Sequence, residues 1–144
     1  MNQIYRNLTA ALLLIGLYGT AGADEQDARQ QISMPDMMKK HMLAQMRDHL
    51  LALHEIQVAM ARGDMDKASD IAETRLGVSS MPAQMQQQMA PYMPQAMRMI
   101  GMEMHKSASR FARTATEGDT LRALDSLSTV TQQCVACHAA YRVN

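Results

Sequence analysis

The chain has 144 residues, and 14 Lys+Arg balance 14 Asp+Glu for a formal net charge of zero at pH 7. No basic block stands out, so nucleic acid and anionic membrane are not expected partners. Aromatic residues make up 3%, with no Trp and a single Phe, which argues against a β-sandwich, while the abundant Ala, Met, Leu, Gln, Arg and Glu favour helix.

Residues 1–7 carry one cation, Arg6, and no acid; an apolar run follows from Leu8 to Leu17, then Thr20-Ala21-Gly22-Ala23. That order reads as a secretory signal peptide, residues 1–23, cleaved after Ala23. The apolar run is shorter than the roughly 20 residues a membrane span needs. Loss of Arg6 with the leader leaves one excess negative charge. The expected location is therefore the periplasm, with no membrane attachment after cleavage.

Residues 24–33 are polar and read as a flexible lead-in. Ser33-Met34-Pro35-Asp36 is a helix start with Ser33 as N-cap. The first helix is expected to run to Arg62, with Met38, Met42, Met46, Leu50, Leu53 and Met60 at helical spacing. Gly63 stops it. Asp64 caps a shorter helix, 65–76, whose inward positions are Ala68, Ile71, Ala72 and Leu76. Pro82 and Pro91 make 79–92 a broken helix or loop. Pro94 starts a third long helix, 95–117, with Met97, Ile100 or Gly101, Met104, Ala108, Phe111 and Ala115 on one stripe. After Gly118, Asp119 caps the last helix, 120–142, striped by Leu121, Leu124, Leu127, Val130 or Thr131, Cys134, His138 and Tyr141. Short Gly-Asp breaks favour antiparallel neighbours. The expected fold is all-α, an antiparallel four-helix bundle over residues 34–144.

Cys134-Val135-Ala136-Cys137-His138 is a C-x-x-C-H sequence, the pattern of c-type haem attachment. Residues three and four apart share a helix face. Cys134 and Cys137 can therefore each bond one vinyl group at a single porphyrin edge, and His138 can reach the iron. One covalent haem c is the expected cofactor. A redox-active C-x-x-C belongs at a helix N-terminus, where the dipole lowers the thiol pKa; this pair sits near a C-terminus. A zinc site commonly needs two Cys pairs, and there is one. A disulfide is chemically open to an exported chain but would close a very small loop. A chain without haem is expected to show a hollow beside Cys134, Cys137 and His138.

The ending Cys134-Val135-Ala136-Cys137-His138-Ala139-Ala140-Tyr141-Arg142 resembles the cytochrome c′ / cytochrome c-556 family of class II c-type cytochromes, four-helix bundles whose haem motif lies near the end of the last helix. The resemblance implies proximal ligation by His138, with Arg142 near the proximal side and a haem propionate. It places the first helix over the opposite haem face. Members with a distal Met suit electron transfer; those with an apolar distal residue stay five-coordinate and bind NO or CO. Two registers compete here. Counting from Gly63-Asp64 puts Met46 opposite the iron, with Met42 one turn away; counting from His49 puts Leu43 there. Met46 is the favoured ligand, because a soft sulfur near the iron is expected to bind it. His105 is an alternative distal ligand, and the ordinary reading of His41, His49 and His54 is no metal role. The family also implies dimers formed through the first two helices.

Methionines recur at steps of four in two series, Met34-Met38-Met42-Met46 and Met81-Met85-Met89-Met93-Met97. Core packing explains the first, apart from Met42 and Met46. The second has only Pro, Gln, Ala and Tyr between its members, and clustered thioethers select Cu(I); a soft docking surface is the other reading. The leading expectation is thus a periplasmic one-electron carrier, not itself an enzyme, serving periplasmic redox partners. A gas-binding haem protein and a Met-rich copper-handling protein are the alternatives.

Overall fold

Gly63 and Gly118 adopt φ of +74° and +81°, the left-handed backbone that glycine reaches without steric cost. Each ends a helix and hands the chain to an aspartate that opens the next. The computed structural model describes residues 27–143; the expected signal peptide lies outside the described residues. Five α-helices carry most of this length: α1 Asp36–Ala61, α2 Met65–Ile71, α3 Ala83–Met89, α4 Gln95–Ala115 and α5 Thr120–Ala140. The protein is all-α in class. The Asp64 side chain accepts from Lys67 N, and Asp119 accepts from Leu121 N and Arg122 N, satisfying amides that a helix start leaves unpaired.

Three features differ from the expectation. Part of the expected lead-in is ordered secondary structure. Gln30–Ile32 form strand β1, paired in parallel with β2, Tyr141–Val143, so that Ile32 faces Val143. The final helix therefore stops at Ala140, two residues early, because the ladder draws Tyr141 into extended backbone (φ −132°, ψ 150°). Ser33 caps nothing: α1 starts after Pro35, with no side-chain cap. Beyond Ile71 the helix loosens into a π-helical turn, Ala72–Leu76, ended by Gly77. A side chain on Gly77 would meet the Glu73 carbonyl oxygen at 2.6 Å, so only glycine fits there.

Two interiors divide the protein. The first joins Ala52, Ile56 and Ala59 of α1 to Ala68, Ile71 and Leu76, to Met104, Ala108 and Phe111 of α4, and to Ala123, Leu127 and Val130 of α5. The second holds Ile32, Met42, Met89 and Met97, with Cys137 and Tyr141 packed against it. Close backbone contact joins α4 to α5, α1 to α2 and α2 to α4. Around the second interior α1 and α5 meet through side chains rather than through an extended backbone approach.

The expected inward face of α4 is observed, since Met97, Met104, Ala108, Phe111 and Ala115 are all buried. Those of α1 and α5 are observed in part: Met42, Leu127 and Val130 are buried as expected. Along α1 the step-of-four methionines advance about 40° per step, so Met46 and Leu50 turn outward, while Ala52, Ile56 and Ala59 turn in. On α5 the buried stripe is Ala123, Leu127 and Val130; Leu121 and Leu124 are exposed. Phe111, fully buried, is the largest side chain of the first interior. Phe111→Ala is expected to cost about 3–5 kcal/mol, read as a fall in the urea midpoint with the denaturant slope unchanged.

Candidate functional site

The last two turns of α5 set the candidate site. Cys134 and Cys137 are half-buried free thiols. They straddle the two interiors, Cys134 packing against the first and Cys137 against the second. Cys134 Sγ lies 3.6 Å from the Val130 carbonyl oxygen, to which it donates. Burial pushes both thiols up, and the neighbouring Cys134 raises Cys137 further. A thiol-exchange nucleophile needs the opposite shift, so this pair is not poised for that chemistry. His138 is exposed in the final turn. Among the described residues, no three or more His, Cys, Asp or Glu gather as a metal-binding group.

The N-terminal strand ties down this end of α5. The Arg29 guanidinium donates to the His138 carbonyl oxygen at 3.4 Å and pairs with Asp27 at 2.6 Å. Arg142 reaches the same Asp27 carboxylate at 3.4 Å. The hydrogen bonds from Arg29, with the charge of Arg142 adding to them, hold Asp27 down at about 2. Arg142 is thus half-buried beside Tyr141, in the strand that follows the motif.

Of the α1 candidates, Met42 alone is brought into the interior that Cys137 borders: it is 7% exposed, against 37% for both Met46 and Leu43. His41, its chain neighbour, has a buried Nε2 atom with no hydrogen-bond partner. No local pattern in the chain announces this orphaned nitrogen. The two principal cavities of the described residues are lined around His54, Val58 and Ile71, and around Thr114, Leu121 and Asp125. Neither borders the cysteines, so the expected hollow is not one of them. Methionine side chains occupy that side instead, Met38, Met42, Met89 and Met97 among them. Such side chains are unbranched and adaptable. The residues fit a flat apolar group bonded through two thiols: two Sγ atoms at a seam and a repackable thioether lining.

His105 is engaged elsewhere. Its Nδ1–H donates to the Leu76 carbonyl oxygen at 2.7 Å, and its ring meets that of His49 edge-on, centroids 5.9 Å apart. Asp48, beside His49, pairs with Arg75, which also pairs with Glu55. Burial lowers both imidazole pKa values, and the second ring lowers His49 further. Comparison with protein-family models, curated proteins and solved structures returned no match for the chain.

The imidazole pair makes stability depend on pH. Both rings resist protonation in the fold, whereas an unfolded imidazole titrates near its ordinary 6.5. As pH falls below that value the unfolded chain binds protons first, so stability is full above it and lost below. The melting temperature is expected to fall from pH 7 to pH 5. A His49→Gln/His105→Gln variant should flatten that slope; an unchanged slope would assign it to other groups.

Proposed function

We propose that the protein is a periplasmic monohaem c-type cytochrome that carries single electrons, built as a cytochrome c′ / cytochrome c-556-like bundle. One observation supports this above the rest: two unpaired, half-buried thiols, three residues apart on the last helix, border a methionine-lined interior and are followed directly by His138. In this reading α1, α2 with its π-helical extension, α4 and α5 form the antiparallel four-helix bundle, and the leader directs export. Cys134 and Cys137 hold haem c through thioether bonds, and His138 ligates the iron from the proximal side. Bound there, the haem supplies a one-electron iron couple.

The remaining roles fall to the chain itself. Met42 is favoured as the distal sulfur, ahead of Met46 and Leu43, because it alone of the three is buried against the Cys137 side. A thioether in that place raises the potential and closes the sixth position. Arg142 and Arg29 put two cations at the end of the motif, where a propionate would be matched in charge. Periplasmic redox proteins are the expected partners, and a homodimer through α1 and α2 accompanies the family reading. The five-coordinate gas-binding alternative through Leu43 is less favoured, since Leu43 is 37% exposed against 7% for Met42.

Exported protein should have the mass of the processed polypeptide plus one haem, and Cys134→Ala/Cys137→Ala should be colourless. Met42→Leu should convert a low-spin spectrum, with its near-infrared sulfur-to-iron band, into a high-spin one that shifts on adding CO. Met46→Leu should change nothing. If Met42→Leu stays low-spin, ligation moves to Met46 or to His41 Nε2, and the distal assignment fails. Colourless wild-type protein at bare polypeptide mass would end the haem reading.

A further inference from the structure

The chain builds two interiors from one pool of residues and gives them different chemistry. The first holds fifteen buried residues, of which only Met104 is a methionine. The second holds four, and Met42, Met89 and Met97 are three of them. An iron site uses at most one of these sulfurs. The segment entering α4 brings a set of its own: Met85 and Met89 from α3, Met93 from the break and Met97 from α4 all pack in this interior. On an unbroken helix, steps of four would space them along a line, about 6 Å per step. Here Pro91 falls in a 3-10 turn and Pro94 precedes α4, so the line is interrupted twice. Thioethers on separate pieces of backbone then share one interior. No charged residue lies between Met81 and Met97.

We propose that Met85, Met89, Met93 and Met97 form a Cu(I) site. Neutral thioethers are soft ligands that select Cu(I) over harder divalent ions. They carry no proton to release, so binding by them is independent of pH, unlike binding by thiols or imidazoles. The site uses none of Cys134, Cys137, His138 or Met42 as ligands, although its Met89 and Met97 also border the interior beside Cys137.

The test titrates exported full-length protein with Cu(I), kept reduced by ascorbate, against a colorimetric Cu(I) chelator. Met89→Leu/Met93→Leu/Met97→Leu is measured beside a control, Met37→Leu/Met46→Leu/Met99→Leu, whose methionines are exposed. If a preparation lacks haem, both cysteines are changed to Ser in every chain, so thiols contribute nothing. One Cu(I) per chain is expected in the parent and the control, with equal affinity at pH 5.5 and 7.5. The cluster variant should lose on the order of 100-fold in affinity or more, since even outer-sphere partners of a metal contribute about 10–100-fold. Should that variant lose helical circular dichroism, Met93→Leu alone, half-buried in the break, should still lose about 10-fold. Equal affinity in parent and variants, or an affinity that falls steeply with acid, overturns the site. Haem content of the same samples, read from the α-band, tests the cytochrome reading separately.

Discussion

The position of Cys134 and Cys137 at the seam between two interiors is the constraint on which the site depends. Three residues turn a helix through about 300°, so the two thiols lean the same way but not quite together. One settles against an interior of Ala, Ile, Leu, Val and Phe, the other against one of methionines. The first is dense and built on close helix contacts, and it fixes where the α5 axis runs. The second is spanned by long flexible side chains, and it leaves latitude beside the last turn. The pair of thiols thus has one rigid and one adaptable flank.

The strand pair finishes the arrangement. Without it, residues after Ala140 would fray, as helix ends do. With it, Ile32 is buried to 4% exposure against the methionine interior, and the Asp27–Arg29–Arg142 group is set at the end of the motif. Two short strands are a weak unit alone. Their order comes from the packing of their own Ile32, Tyr141 and Val143 in the methionine interior. The N-terminal segment and the motif are thus coupled through packing, and the exposed ion pairs add little beyond orientation.

Helix boundaries were legible in the sequence where the signal is local. Gly63-Asp64 and Gly118-Asp119 each place a left-handed stop before a capping carboxylate, and both act as the pattern implies. The buried stripe of α4 was legible for the same reason, since its apolar spacing follows the helical period. The faces of α1 and α5 were legible only in part, through Met42, Leu127 and Val130, because alanine carries much of the packing there. Ala52, Ala59 and Ala123 are buried, yet alanine at the same frequency also lines exposed faces. Larger residues, Leu50, Leu121 and Leu124, drew the stripe to the wrong side. The pairing of β1 with β2 joins residues more than a hundred positions apart, and nothing local to Gln30–Ile32 announces it.

The same distinction explains what was legible of the site. Cys134, Cys137 and His138 are a contiguous motif, and spacing alone puts them on one turn. The residue across from them is a question of rotation. A four-residue step overshoots a helical turn and a three-residue step undershoots it, so an error of one step along α1 moves the choice from Met42 to Met46. The packed half of α1 resolves the rotation: Met42, His49 and Ile56 recur at sevens, and Met42 and Ile56 are buried while His49 is half-buried against His105. A stripe that keeps this phase cannot also turn Met46 inward, about 40° further round. The phase of α1 at Met42 is therefore set by Ile56 and Ala52 in the first interior, several turns along the helix.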